Sequence, residues 1–410
     1  MTSCQTRQQC RICHSASLTD FLDLGEMPPV NAFTQSTDTF QASYPLVVAF
    51  CHDCFHVQLR NTVDRAALFQ DYTYFSSASK PLIKHFGDYA EEIERRFLTE
   101  GDTVVEIGCN DGILIKQFSN RVQCLGIEPA DNVAAVAREQ YGLDVRTNFF
   151  DADVAADISK KDGTANAILA NNVVGHIDDL HEFMHGIELI LSCDGIFIME
   201  VPYLYDLLQN LEFDTIYHEH ISYFSVHALQ KLVNQFNLEI FEIKRVNTQG
   251  GSIRIYIQPD DSSRTVSRYV KDLLRLERAH GINDINTFEH FSKAVENLGS
   301  QLHQLLENIA EQNVSIVGYG APAKGNVLLN YSNLGSEHID FIIDSTPSKQ
   351  YTYTPGTKIP VRPPEAFSEP YPDYAVLLAW NYRSTILQNE REFRKLGGRF
   401  ILPQPILDVI

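Results

Sequence analysis

Two cysteine pairs near the amino terminus restrict the fold of this chain more than any other feature. Cys10-x-x-Cys13 and Cys51-x-x-Cys54 take up four of its eight cysteines. Each CxxC turn directs two thiolates inward, and two such turns complete a tetrahedral zinc site with no open coordination position. A redox motif would not need the second pair, and a haem-attachment motif ending at His14 would leave the second pair unexplained. The spacing therefore predicts a structural zinc ion in a small β-rich module.

Composition and charge restrict the partners of the chain. Its 410 residues are 44% hydrophobic and 21% charged, which is ordinary for folded domains. The formal net charge of −20 repels polyanions, so we expect neither nucleic acid nor an anionic membrane as a partner. The polar amino terminus predicts no secretion signal or membrane span, and the expected compartment is the cytoplasm. The oligomeric state stays open, with a monomer as the working expectation.

Alternating strands and helices follow the cysteine module. An amphipathic helix at 80–98 precedes short apolar strands at 103–107, 123–127, 167–170 and 196–201, with helical segments between them. This alternation is typical of a doubly wound parallel sheet. The strands therefore predict one complete α/β domain.

A second α/β pattern begins near residue 314. A largely helical stretch at 265–312, broken near Gly281, leads into it, and further strands follow at 341–344 and 375–379. The chain is therefore predicted to be an α/β protein with three parts. These are a Cys4 zinc-binding module at 1–65, a central Rossmann-like domain with a helical connector at 66–305, and a carboxyl-terminal Rossmann-like domain at 306–410.

A glycine loop after the first central strand predicts a nucleotide-type site. Glu106 ends that strand, and Gly108 and Gly112 shape the turn before the next helix. A dinucleotide loop needs a glycine where Asn110 stands, because a pyrophosphate approaches there, whereas S-adenosylmethionine (SAM) has no phosphate. Glu128 ends the next strand, where a carboxylate can accept both ribose hydroxyls. Further candidates at the same carboxyl edge of the sheet are Pro129, Asn171, Asn172 and His176.

Proton-handling side chains crowd into the stretch from Tyr217 to Tyr223. His218-x-His220 resembles a metal-binding pair, but the neighbouring residues lack the Asp-His of a binuclear site. A structural cluster of buried histidines is a second interpretation. The third is general acid–base catalysis, for which Tyr217, Glu219 and His220 provide a hydrogen-bond donor, an orienting carboxylate and a base.

The carboxyl-terminal domain opens with its own glycine loop. Gly318-x-Gly320 precedes a helix whose first turn holds Lys324, and backbone amides, helix dipole and ammonium together suit a pyrophosphate. The next glycine, Gly325, comes one residue too late for a dinucleotide fingerprint. Asp344 at the end of the following strand resembles a ribose-binding acid and keeps that alternative open. A domain with no ligand of its own is the remaining alternative.

Together these motifs resemble the sugar C-methyltransferases that act on nucleotide-linked 4-keto-deoxyhexoses. The resemblance spans essentially the whole chain. Besides the cysteine pairs, the matching stretches are Asp71-Tyr72-Thr73-Tyr74-Phe75-Ser76-Ser77, Glu106 to Gly112, Tyr217-His218-Glu219-His220 with Tyr223-Phe224-Ser225, Gln249-Gly250-Gly251-Ser252-Ile253-Arg254, and Gly318 to Asn326.

The resemblance implies SAM in a class I methyltransferase domain and a sugar nucleotide between the central and carboxyl-terminal domains. His220 is the expected base at C3 of the sugar, with His176 as runner-up, Glu219 orienting the base, and Tyr217 donating to O4 or positioning the sugar. Around the sugar we also expect a tyrosine of segment 71–77, with Tyr72 preferred over Tyr74. The expected substrate-binding residues are Gly250, Gly251, Gly318, Gly320, Lys324 and Asn326.

The function expected on this basis is SAM-dependent C3-methylation of a nucleotide-linked 4-keto-6-deoxyhexose, a step in branched-chain deoxysugar synthesis. The sequence leaves open whether the nucleotide is dTDP or GDP. Two other functions also stay open. One is a nicotinamide-dependent sugar oxidoreductase or epimerase, although both glycine loops have the wrong spacing for it. The other is a zinc-ribbon protein that senses SAM without catalysis.

Overall fold

The computed structural model describes residues 4–69, 75–78, 80–248 and 250–410. The amino-terminal region is β-rich, as the cysteine spacing predicted. β2, β3 and β4 form an antiparallel sheet, and β1 pairs with β5 beside it. Its elements are β1 (Cys4–Thr6), β2 (Leu18–Met27), β3 (Tyr44–Cys51), β4 (Val57–Leu59), β5 (Asn61–Val63) and α1 (Arg65–Phe69).

The central region is a doubly wound sheet, which confirms the prediction. Its elements are α2 (Lys80–Phe97), β6 (Thr103–Ile107), β7 (Gln123–Ile127), α3 (Asp131–Tyr141), β8 (Val145–Arg146), α4 (Ala152–Lys161), β9 (Ala165–Asn171), α5 (Leu180–Ile190), β10 (Leu191–Pro202), α6 (Leu204–Gln209), β11 (Ser222–Tyr223), α7 (Val226–Val233), β12 (Leu238–Val246) and β13 (Ser252–Pro259). Among the described residues the strand order is β12-β13-β10-β9-β6-β7-β8, parallel from β8 to β10 and antiparallel at β13 and β12.

Burial explains why the inner strands of this sheet are apolar along almost their full length. β6 and β9 are buried at nearly every position, since both faces of a parallel sheet are covered. α5 begins at Asp179, whose side chain accepts from the amides of His181 and Glu182. Because β6 pairs in parallel with β7 and with β9, the carboxyl ends of these three strands lie at one edge.

The carboxyl-terminal region repeats this architecture on a smaller scale. Its elements are α8 (Arg268–Ala279), α9 (Ile285–Ala310), β14 (Ile316–Tyr319), α10 (Ala323–Tyr331), β15 (Phe341–Ile343), β16 (Val361–Arg362), β17 (Tyr374–Leu377), α11 (Arg383–Asn389), α12 (Arg391–Lys395), β18 (Arg399–Leu402) and β19 (Asp408–Val409). The described strands follow the order β16-β15-β14-β17-β18-β19, and only the β18–β19 pair is antiparallel. The predicted helical connector and its break near Gly281 correspond to α8 and α9.

The three regions interlock. β11 of the central region pairs with β4, so it extends the amino-terminal sheet. The Phe288 ring of α9 packs 4.9 Å from the Phe50 ring of β3. α9 also spans residue 305, where the sequence placed a domain boundary. The ranges 1–65, 66–305 and 306–410 therefore stay a prediction about folding units. In the described part of the chain, no helix is long and apolar enough to cross a membrane.

Candidate active site

The four cysteines of the two CxxC turns meet at one point. Their sulfur atoms all lie within 4.8 Å of one another, with Cys10 Sγ 3.4 Å from Cys54 Sγ and Cys13 Sγ 3.5 Å from Cys51 Sγ. Zinc–sulfur bonds of about 2.3 Å in a tetrahedron put sulfur atoms about 3.8 Å apart, so the donor set fits zinc. Within the described ranges this is the one group of three or more His, Cys, Asp or Glu residues that can hold a metal ion. The site is structural, because four thiolates leave zinc no open position.

A large cavity of about 1580 Å³ separates the central sheet from the carboxyl-terminal sheet. The carboxyl ends of β6, β7 and β9 open into it from one side, and the residues after β14, β15 and β17 line it from the other. Ligands of open α/β sheets bind at such edges. The cavity therefore has two walls that are each built by one sheet, and residues of the amino-terminal region such as Asn31 also line it.

The glycine loop after β6 has left-handed backbone positions that suit glycine and asparagine. Gly108 has a φ of 67°, and a Cβ there would lie 2.2 Å from Val173 Cγ2. Gly112 has a φ of 77°, and a Cβ there would lie 2.3 Å from Leu143 Cδ1. Asn110, at a φ of 51°, is a residue type that tolerates this left-handed region. The loop therefore requires both glycines for its shape, although Gly112 itself does not line the cavity.

Glu128 ties this loop to the next strand. Its carboxylate accepts from the Asn110 amide and from the Ala130 amide, both at 2.9 Å, and it lines the cavity while only 6% exposed. Burial raises the pKa of Glu128, and the two amide donors act in the opposite direction. A bound ribose would therefore find a carboxylate already held in place, with Pro129 beside it in the cavity wall.

Buried polar atoms lie along this wall. The acceptors Glu106 Oε2, Asn171 Oδ1 and Asn172 Oδ1 and the donor Asn171 Nδ2 are buried without a hydrogen bond to the residues described. Burial raises the pKa of Glu106 well above its usual value. SAM carries an ammonium group, a sulfonium group and ribose hydroxyls, so its cationic groups and donors fit these acceptors. The residues present therefore suit the cofactor predicted from sequence.

His220 is a buried histidine with one ring nitrogen held by a backbone carbonyl. Its Nδ1 lies 2.8 Å from the carbonyl oxygen of Thr215. A carbonyl can only accept, so Nδ1 carries the proton and the lone pair of the neutral ring lies on Nε2. Burial lowers the pKa of His220 well below its usual value, and the charges of His176 and Lys324 contribute. The ring is therefore neutral at neutral pH.

The orienting group of His220 is thus a backbone carbonyl, whereas we expected Glu219. Glu219 Oε1 instead accepts from Asn31 Nδ2 of the amino-terminal region, at 2.7 Å. Burial raises the pKa of Glu219 to about 7, opposed by that hydrogen bond and by the charge of Lys349. The carboxyl group lines the cavity where all three regions meet.

Tyr217 and His176 flank the proposed base. The Tyr217 ring centroid lies 3.9 Å from that of His220, and the His176 centroid lies 5.0 Å from it. The backbone brings the histidines together, because the Ile221 amide donates to the Gly175 carbonyl at 2.8 Å. Burial lowers the pKa of His176 to about 4. Both histidines and Tyr217 line the cavity, so the structure brings these predicted site residues together.

His218 has a different environment from His220. Its Nε2 contacts the Tyr44 carbonyl at 3.1 Å, and its ring packs edge-on against the Tyr44 ring. The two histidines of the His-x-His pair thus bind separate carbonyls. This arrangement gives the metal alternative no support and makes His218 a link to β3.

Lysines mark the opposite wall. Lys324, in the first turn of α10, is 8% exposed and lines the cavity, as does Gly320 with a φ of 83°. Asp344 accepts from the Ala321 amide and from the Thr346 amide, both at 2.7 Å. Lys349 Nζ donates to the Ala321 carbonyl at 2.8 Å. Two cationic side chains therefore face the cavity from the carboxyl-terminal region.

Several residues expected at the substrate lie away from the cavity. Gly250 and Gly251 approach Glu212 and Asp206, where a Cβ would lie 2.5 Å from a carboxylate oxygen in each case. Gly318 packs against Ile342 beneath the loop, and Asn326 donates to the Val30 carbonyl at 2.7 Å. These residues shape and join the regions. Tyr72 and Tyr74 lie outside the described residues, although the amides of Ser76 and Ser77 donate to Asn110 Oδ1 and Asp111 Oδ2.

Sequence reasoning missed Asn31, Thr215 and Lys349. Asn31 is 188 positions from the Glu219 that it contacts, and Thr215 acts through a backbone atom that no residue type reveals. Lys349 stands in the turn-rich stretch after β15, at the sheet edge where Asp344 was already noted. Of these three residues, only Lys349 could have been found from the sequence, through its position after the end of β15.

Comparisons with known proteins agree with this geometry. Residues 10–69 match a zinc binding domain, residues 83–243 a methyltransferase domain, and residues 247–405 the C-methyltransferase C-terminal domain. C-methyltransferase NovU of Streptomyces niveus is 36% identical over 403 residues, which cover 97% of this chain and 95% of that protein.

Two solved methyltransferase structures each resemble less than half of the chain. A SAM-dependent methyltransferase of Clostridium acetobutylicum is 16% identical, covering 43% of this chain and 91% of its own, with a TM-score of 0.34. Another from Anabaena variabilis is 15% identical, covering 42% and 82%, also with a TM-score of 0.34. Likenesses this weak carry no weight beside the full-length relative. The zinc-binding, methyltransferase and C-terminal domains match in this order along the chain, and the relative matches over nearly its full length. This chain therefore belongs to the SAM-dependent C-methyltransferases that carry an amino-terminal zinc-binding domain.

Proposed function

We propose that the chain methylates C3 of a nucleotide-linked 4-keto-6-deoxyhexose, with His220 as the base. The observation that carries the proposal is the hydrogen bond from His220 Nδ1 to the Thr215 carbonyl, which leaves the Nε2 lone pair for a proton. That nitrogen belongs to a cavity whose one wall suits SAM and whose other wall presents two lysines. Family membership decides against the nicotinamide-dependent alternative and against a protein that only senses SAM.

The chemistry follows from the acidity of a carbon beside a ketone. His220 Nε2 takes the C3 proton, and the electron pair of the broken C–H bond spreads onto C3 and O4 as an enolate. Tyr217 is our donor to O4, since a hydroxyl beside a developing oxyanion lowers the barrier. When bound, SAM supplies the electrophilic methyl group. His176 is the alternative base, and Tyr72 stays a proposed sugar contact.

Each of the two walls is assigned a different ligand. We assign the cofactor to Glu106, Gly108, Asn110, Glu128, Pro129, Asn171 and Asn172, with Gly112 shaping their loop. We assign the diphosphate of the sugar nucleotide to Lys324 and the amides after Gly320, because ammonium and helix amino terminus both attract phosphate. Glu219 faces the sugar between these walls, and we place the reaction in the cytoplasm.

Product analysis tests the proposal. We would incubate the protein with dTDP-linked and GDP-linked 4-keto-6-deoxyhexoses and SAM carrying a labelled methyl group. Mass spectrometry should show one added CH2 in one sugar nucleotide, and NMR should place it on C3. The C4 ketone also makes the C5 hydrogen acidic. A methyl group found on C5 would therefore leave the proposed role of the base intact but show that C5, and not C3, is methylated. No methylated product with either sugar would contradict the proposed substrate class.

A further inference from the structure

A turn at the edge of the cavity, in which Thr215 lines the cavity, contacts both walls. It comprises Phe213, Asp214 and Thr215 and is called the connecting turn below. Asp214 is fully buried and does not line the cavity. Its Oδ2 accepts from Trp380 Nε1 of the carboxyl-terminal region, at 2.6 Å. A buried carboxylate is costly unless it is compensated, so this contact between regions calls for an explanation.

Lys324 provides that explanation. Its Nζ lies 4.5 Å from the centroid of the Trp380 ring whose N–H binds Asp214. Burial lowers the pKa of Lys324, and the charges of Asp214 and Glu212 act in the opposite direction. The carboxylate therefore fixes the ring under the ammonium group and helps to keep that group charged. Asp214 is thus connected to Lys324 through the Trp380 side chain.

The next residue of the same turn holds the base. The Thr215 carbonyl accepts from His220 Nδ1, and Thr215 Oγ1 donates to the Glu212 carbonyl at 2.7 Å. The Ile216 amide also donates to the Phe213 carbonyl at 3.0 Å, which closes the turn. Two adjacent residues thus control groups on opposite sides of the cavity.

We propose that Asp214 is a positioning residue: through Trp380 and Lys324 it fixes where a diphosphate binds relative to His220. The proposal rests on the proposed function, because the ligand class is the diphosphate of a nucleotide-linked sugar. It goes further by naming a residue that touches neither substrate nor cofactor. A strictly structural role for Asp214 would affect stability without a preference for one ligand.

The test compares Asp214→Asn, Lys324→Ala and the double variant. Calorimetric titration with thymidine diphosphate and with guanosine diphosphate should show binding weakened about tenfold in each single variant, as expected for losing a charge-assisted interaction. The double variant should bind no more weakly than Lys324→Ala, because Asp214 acts through Lys324. Affinity for SAM should not change, and the KM for the sugar nucleotide should rise more than kcat falls.

Two further variants keep the test decisive. Glu277→Gln alters another fully buried carboxylate, one that binds Tyr203 and His227 away from the cavity. It should lower the melting temperature but leave diphosphate affinity unchanged. If Asp214→Asn does not fold, Trp380→Phe, which keeps a smaller aromatic ring and removes the N–H donor to Asp214, should weaken diphosphate binding several-fold.

The outcomes separate this inference from the proposed function. Native diphosphate affinity and KM in Asp214→Asn, or effects of the two single changes that multiply in the double variant, would overturn the role of Asp214. A wild-type protein that binds neither diphosphate and methylates neither keto sugar would instead refute the proposed function. Equal losses of SAM and diphosphate binding in Asp214→Asn would mean that Asp214 is merely structural.

Discussion

The two α/β sheets place nearly identical backbone devices on opposite walls of one cavity, yet their charges differ. In each, a glycine loop follows the strand at which the sheet order reverses, β6 in one and β14 in the other. In each, the acid ending the next strand binds a loop amide and the amide two residues after itself: Glu128 with Asn110 and Ala130, Asp344 with Ala321 and Thr346.

The side chains around these devices decide which ligand each wall suits. The central wall adds the buried acid Glu106 and the amides of Asn171 and Asn172, a set that favours a cationic cofactor. The carboxyl-terminal wall adds Lys324 and Lys349, which favour an anionic diphosphate. In the division of ligands that we propose, the backbone fixes where a ligand lies, whereas a few side chains fix which ligand binds.

The largest expected effect comes from removing a zinc ligand. Cys51→Ser should release zinc and abolish methyl transfer, because Asn31 and the Val30 carbonyl reach the central and carboxyl-terminal regions from the module. SAM affinity should fall less than diphosphate affinity, because the central wall is built by β6, β7 and β9. Metal analysis and calorimetry measure both. Cys193→Ser, at an exposed cysteine outside the cluster, is the matched control and should change neither.

Removal of the proposed base, His220, should have the second largest effect. His220→Asn keeps a similar size but cannot accept a proton near neutral pH, so kcat should fall about 10²–10⁴-fold while both ligands still bind. Exchange of the sugar C3 hydrogen with solvent deuterium should stop as well, which NMR can follow. Exchange at the native rate in this variant would transfer the role to His176. Exchange and methylation that survive in both His220 and His176 single variants would end the acid–base interpretation.

Removing each of the paired acids in turn tests whether the two walls bind different ligands. Glu128→Ala should raise the Kd for SAM about tenfold or more, because hydrogen bonds to a charged group are worth about 1.5–3 kcal/mol. Asp344→Ala, the matched change on the other wall, should leave that Kd unaltered. Calorimetric titration with SAM compares the two. Equal effects would show that the walls do not divide the ligands as proposed.

The smallest effect concerns pH. Because the pKa of His220 lies well below its usual value, protonation of His220 should contribute no loss of kcat/KM near neutral pH. The raised pKa of Glu219, about 7, means that its carboxylate is present above that pH and is lost as pH falls. We expect kcat/KM to decline a few-fold below about pH 7, and we expect this decline to be absent in Glu219→Gln. If the decline persists in Glu219→Gln, another group is responsible for it.

Sequence alone predicted the fold well because its signals are local. The CxxC turns, the apolar strands and the strand-end positions of Glu106 and Glu128 all follow from neighbouring residues. It failed where the cause is a distant contact or a backbone atom. The Thr215 carbonyl replaces Glu219 beside His220, and Gly250 and Gly251 fit against acids of the central region, because only the folded chain brings these groups together.

The pairing of β11 with β4 bears on the order in which this protein is synthesised. β4 leaves the ribosome early, but Ser222 and Tyr223, which cover its edge, follow only after the central parallel sheet. At roughly 5–20 residues per second, the edge waits on the order of ten to thirty seconds for its partner. An uncovered strand edge is a template for association between chains. Newly made amino-terminal segments are therefore the part of this protein for which a chaperone would matter most.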